Sequence, residues 1–78
     1  MEVRWTQASR KHHISRAHAR HVMATVEPTA ATTTNGNAGL LWIGPDDRGI
    51  ELEVIAAVLP DRYLVIHVMP TALRSGPA

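Results

Sequence analysis

The 78-residue chain has no cysteine and no phenylalanine, and its only aromatics are Trp5, Trp42 and Tyr63. Without cysteine there is no disulfide framework, no thiolate nucleophile and no thiolate-ligated zinc. With so few aromatics, base-stacking platforms of the RRM or OB type are poorly supplied. No run approaches the roughly 18 apolar residues that span a bilayer. The opening Met1-Glu2-Val3-Arg4-Trp5 also lacks the basic-then-apolar order of a signal peptide. The expectation is a cytoplasmic protein with no cofactor and no membrane association.

Acidic residues are scarce in the front third. Residues 1–23 hold Arg4, Arg10, Lys11, Arg16 and Arg20 against Glu2 alone, a balance of +4 before His12, His13, His18 or His21 takes a proton. Residues 24–78 hold Arg48, Arg62 and Arg74 against Glu27, Asp46, Asp47, Glu51, Glu53 and Asp61, a balance of −3. The net charge of +1 therefore hides a dipolar chain. A basic lobe of this kind suits a polyanion or an acidic protein partner, although exposed charge also serves solubility alone.

What is present orders itself as one domain over 1–78. Glu2-Val3-Arg4-Trp5-Thr6 alternates with period two, as a strand does when Val3 and Trp5 face a core. Gln7 to His12 lacks Gly and Pro and predicts a short helix. Ser15 is a good N-cap, Ile14 sits where a hydrophobic staple would, and Ala19, Val22, Met23 and Val26 follow at helical spacing. A second helix is thus predicted over about Arg16 to Thr25, with Arg16, Arg20 and His21 outward and Pro28 beyond its end. Residues 27–39, rich in turn formers and poor in large apolar groups, predict a flexible surface loop, with a strand through the threonines as the alternative. Leu40 to Ile43, Ile50 to Leu59 and Tyr63 to Met69 form an antiparallel meander around turns at 44–49 and Pro60-Asp61, and a frayed tail is expected at 75–78. The expected fold is α+β, in the order β-α-α-β-β-β, with an antiparallel sheet and two helices packed on one face.

Alternation in the last two strands marks a second polar locus. Ile50, Leu52, Val54, Ala56 and Val58 share one face, so Glu51 and Glu53 face away from it; in the last strand Leu64, Ile66 and Val68 oppose Tyr63, Val65, His67 and Met69. Burial favours a register with Glu53 and His67 on one face, yet a two-residue Pro60-Asp61 loop brings His67 beside Val54 unless a bulge intervenes. Arg4 turns outward on that same face. An acid, an imidazole and a guanidinium so grouped have the chemistry of metal-free RNA cleavage: a base takes the 2′-OH proton, an acid protonates the departing 5′ oxygen, and Arg stabilises the pentavalent phosphate. A Glu–His pair that merely solvates an exposed sheet is the plainer alternative. Among the front histidines, His18 and His21 lie at i and i+3, close enough to share a metal with His12 or His13. No carboxylate or Cys joins them there and no HExxH pattern occurs, so phosphate contact is the better reading and no metal is expected.

The run Arg10-Lys11-His12-His13-Ile14-Ser15, after a Trp-terminated strand, resembles the Lys-His-Gly-Val/Ile-Ser segment between strand and helix in BrnT-like toxins, with His13 where that segment commonly has Gly. Residues 44–54, Gly-Pro-Asp-Asp-Arg-Gly-Ile-Glu-Leu-Glu-Val, and 64–70, Leu-Val-Ile-His-Val-Met-Pro, resemble the paired C-terminal strands of small actinobacterial relatives. The resemblance covers most of the chain outside 27–39. It implies a RelE-like ribonuclease fold and a type II toxin that inhibits translation by cutting mRNA, with the ribosome as a candidate partner. It also implies a small antitoxin, commonly a ribbon-helix-helix DNA-binding protein. On this resemblance Lys11 and His12 carry over as the basic turn and Arg74 as the basic residue after the last strand. The leading expectation is a metal-independent endoribonuclease in which Glu53 and His67 transfer protons, Lys11, His12 and Arg74 complete the catalytic set, and Arg4, Arg10, Arg16, Arg20 and His21 hold RNA. The rival is a non-catalytic interaction module whose basic helical face docks an acidic partner, its exposed sheet open to strand or helix addition.

Overall fold

A computed structural model describes residues 2–33 and 36–74, Arg74 by its backbone only; the expected tail at 75–78 lies outside the described residues. The protein is α+β. Strand β1 (Glu2–Trp5) leads into a 3-10 turn (Ala8–Arg10) and helix α1 (Arg16–Thr25), followed by β2 (Thr29–Thr32), β3 (Ala38–Pro45), β4 (Glu51–Val58), β5 (Arg62–Pro70) and the short helix α2 (Thr71–Arg74). The strands make one sheet in the order β1-β5-β4-β3-β2. Pairing is antiparallel except that β1 runs parallel to β5. Among the described residues no helix is long and apolar enough to cross a membrane.

Four expectations change here. The helix expected over Gln7 to His12 is a single 3-10 turn, because so short a segment makes too few i→i+4 bonds to offset nucleation. The expected loop at 27–39 gives way in part to its alternative, a strand through the threonines: β2 pairs with β3 from Thr29↔Leu41 to Thr32↔Ala38, since threonines suit a strand even without large apolar groups. The sheet is mixed rather than antiparallel because β1 adds beside the last strand of the meander. The two helical segments do not share a face: the 3-10 turn packs on β5, and Ala8 lines a groove on the side away from α1.

Helix α1 keeps its expected bounds. The Ser15 hydroxyl accepts a hydrogen bond from the Ala17 N–H at 3.1 Å, a cap worth about 1 kcal/mol. Ala19 and Val22 press on Trp42, Leu52, Val54, Ala56, Val65 and Val68, with Ile14, Met23 and Val26 at the margin. Burying each large apolar side chain in this layer contributes roughly 1.5–3 kcal/mol. Trp42 also meets Tyr63 edge-on, ring centroids 5.8 Å apart. At Gly44 a Cβ would come 2.5 Å from the Val26 Cγ1, so the missing side chain lets the end of α1 settle on β3.

The β4–β5 hairpin decides which side chains face away from α1. Leu59 N–H donates to the Arg62 carbonyl at 2.9 Å, closing the Pro60-Asp61 turn. Pairing then runs Val58↔Tyr63, Ala57↔Leu64, Ala56↔Val65, and resumes at Ile55↔His67 after skipping Ile66. Ile66 is the extra residue of a β-bulge. Were Ile66 paired in a continuous ladder, His67 would lie opposite Val54, beneath α1. The bulge also corrects the strict alternation expected of this strand: Tyr63, Val65 and Val68 serve the core face, whereas Leu64, Ile66 and His67 line the other.

Candidate functional site

Glu53 on β4 and His67 on β5 meet diagonally across the face that α1 leaves open. The His67 Nε2 lies 2.9 Å from the Glu53 Oε2, and Glu53 is only 7% exposed. An ionised carboxylate only accepts, so it holds the imidazole proton on Nε2 and leaves Nδ1 as the basic nitrogen. Nδ1 has no hydrogen-bond partner among the described residues. A second imidazole comes from the turn after the 3-10 helix: the His12 ring stands edge-on to His67, centroids 6.3 Å apart and planes at 82°. Local bonds place it there. The Thr6 hydroxyl donates to the Val65 carbonyl at 2.9 Å and the Ser9 hydroxyl to the Thr6 carbonyl at 2.6 Å, anchoring the segment on β5. His13 then adopts a left-handed φ of 58° and turns the chain toward α1.

Beside this pair a cavity of about 440 Å³ lies between the 3-10 turn and the β2–β3 connection. Ile55, Ala57, Leu64 and Ile66 form its floor, Thr32, Thr33 and Asn37 one wall, and His67 belongs to both cavity and pair. Glu51, further along β4, accepts from the Thr71 hydroxyl at 2.7 Å and so ties α2 to the sheet.

The structure does not gather the remaining expected residues here. Arg16, Arg20 and His21 ride on α1, across the sheet from Glu53 and His67, and Arg20 stacks over Trp5 at 5.6 Å from the ring centroid. Arg4 shares the open face but pairs with Glu2, toward the hairpin tip. His67 lies three residues beyond Leu64, the partner of Arg4, on the order of 10 Å the other way. Arg10 and Lys11 are exposed and adjoin His12 in the chain. The Arg74 side chain lies outside the described residues. The expected single basic front is therefore divided, with 10–12 on the side of the Glu–His pair and α1 on the other.

Sequence reasoning missed a second polar cluster. Asp46, 4% exposed, accepts from the backbone N–H groups of Arg48 and Ile50 at 2.8 and 3.0 Å and from the Arg48 guanidinium at 3.0 and 2.7 Å. Burial alone would raise its pKa, but the bonds from Arg48 and Ile50 outweigh it and hold the carboxyl at about 2. Asp47 receives His18 of α1, with Nδ1 2.5 Å from Oδ1, which lowers the Asp47 pKa. His18, Asp46 and Asp47 offer donor atoms within 4.8 Å of one another, yet Arg48 already neutralises Asp46. The cluster ties the start of α1 to the β3–β4 turn. The turn was legible as Gly-Pro-Asp-Asp-Arg-Gly; its reach to His18, 29 residues earlier, carries no local signal. His12 and His18 thus go to different partners.

Compared with protein-family models, curated proteins and solved structures, the chain matches none.

Proposed function

We propose that the protein is a metal-independent endoribonuclease, the toxin of a type II toxin–antitoxin pair with a RelE-like arrangement. The observation that carries this reading is the Glu53–His67 hydrogen bond with the His12 ring beside it. In the proposed reaction His67 Nδ1 takes the proton of a ribose 2′-OH while Glu53 orients the ring and stabilises the imidazolium. The 2′ oxygen bonds to phosphorus, the P–O5′ bond breaks, and protonated His12 gives its proton to the departing 5′ oxygen, leaving a 2′,3′-cyclic phosphate. Lys11 and Arg10, next to His12, supply positive charge for the phosphate, and Arg74 is a further candidate. Three features support the reading: the basic turn at 10–12 lies on the side of the pair, a cavity adjoins it, and His13 takes a glycine-type φ where the resembling toxins commonly have Gly. The reading brings with it a cytoplasmic setting, an RNA substrate met free or on the ribosome, and a small DNA-binding antitoxin.

The test is cleavage of unstructured RNA by purified protein in excess EDTA, with growth followed on expression. Cyclic-phosphate products are expected, with loss of about 10²–10⁴ in rate for His67→Ala. Intact RNA and undisturbed growth would overturn the proposal. The apolar lining of the cavity favours a second reading, a non-catalytic module that docks an apolar segment of a protein partner there, with the exposed Arg16 and His21 of α1 a separate basic surface on the other face. Under it, His67→Ala leaves any growth effect in place.

A further inference from the structure

We infer that the cavity beside His67 is a nucleobase subsite and that the Asn37 side chain selects the base; this rests on the ribonuclease reading of the Glu53–His67 pair. The cavity volume of about 440 Å³ falls in the range of roughly 300–1,000 Å³ typical of small-ligand sites. Among the described residues its lining has no charged group other than His67. A phosphate therefore gains nothing inside it, whereas a flat, neutral heterocycle covers the aliphatic floor of Ile55, Leu64 and Ile66. The charges that suit a phosphate lie outside, on Arg10 and Lys11 beside His12. A nucleotide bridging the two zones puts its base in the cavity and its phosphodiester at His67, the one residue common to both.

Base selection follows from the wall. The Asn37 backbone is held from both sides, its N–H donating to the Thr33 hydroxyl at 3.1 Å and its carbonyl accepting from the Thr33 N–H at 3.0 Å. Its side-chain amide has no hydrogen-bond partner among the described residues. A carboxamide on an anchored backbone offers a donor and an acceptor side by side, the pattern that reads a base edge. Asn37 is exposed in the free protein; a base with the wrong edge covers its amide without pairing it, which disfavours that base.

The experiment titrates the full chain with adenosine, cytidine, guanosine and uridine, which lack phosphate, and follows backbone amides by NMR. One nucleoside is expected to shift Asn37, Ala57 and Ile66 at concentrations where the others do not. In parallel, RNA oligonucleotides differing at one base are cleaved by wild type, Asn37→Ala and Asn37→Asp. Wild type is expected to favour one base by about tenfold or more, Asn37→Ala to lose that margin, and Asn37→Asp, which keeps the acceptor and loses the donor, to redirect it. Intact RNA together with base-selective shifts removes the ribonuclease reading and leaves the subsite standing. Absent or indiscriminate shifts, or a base preference that survives Asn37→Ala, overturn the subsite whatever the RNA result. Shifts produced by an apolar peptide and by no nucleoside overturn it too, and assign the cavity to a protein partner.

Discussion

The two faces of the sheet are made by the same strands and do opposite things. Beneath α1, Trp42, Leu52, Val54, Val65 and Val68 form a closed apolar layer against Val22. On the other face the alternate residues of those strands, Glu53, Ile55, Ile66 and His67, remain open to a cavity and hold a carboxylate in contact with an imidazole. Period two lets neighbouring residues divide the work, Val54 for the core and Glu53 or Ile55 for the site. The Ile66 bulge keeps that division intact after a two-residue turn, so fold and site depend on one inserted residue.

The largest expected effect comes from inserting one alanine between Ile55 and Ala56, which gives Ile66 a partner and removes the bulge. Continuous pairing would then carry His67 and Glu53 under α1 and turn Val54 and Val68 outward. Apolar groups exposed and a carboxylate turned into the core together cost on the order of 3–5 kcal/mol. Urea unfolding should show the loss; an insertion variant as stable as wild type would show that the bulge does not set the faces.

The next contrast truncates one residue per face. Leu52→Ala should lose about 2–5 kcal/mol, because a fully buried side chain leaves a cavity, whereas Ile55→Ala on the open face should lose less than half as much. Equal losses in denaturant titrations would erase the distinction between the faces.

A third test concerns what pins α1 to its face. Asp46 is held at about 2 against an ordinary value of 3.8. Its pKa is depressed in the folded state, so its contribution is fully present above about pH 4 and is lost as pH falls toward 2. Thermal melts across that window should show declining stability, and Asp46→Asn should be less stable at neutral pH with a flatter acid limb. The smallest effect is at the crossover between faces: His13→Gly should gain up to about 1 kcal/mol, since a left-handed φ strains any residue with a Cβ. A loss on that substitution would mean that the His13 side chain makes a contact of its own.

The sequence by itself determined what depends on near neighbours. The Ser15 cap and the 19-22-23-26 spacing bounded α1, Pro60-Asp61 marked the hairpin turn, and alternation set Glu53 apart from Leu52 and Val54. These features rest on hydrogen bonds and burial within a few residues, where local residue types carry the information. The tertiary structure alone decided the rest: β1 beside β5, β2 drawn from an apparent loop, the bulge at Ile66, His12 against His67, and His18 on Asp47. Each joins segments far apart in the chain, and the register of such a pairing is chosen by how two faces bury together. A one-residue slip leaves the local composition unchanged yet turns every side chain beyond it to the other face.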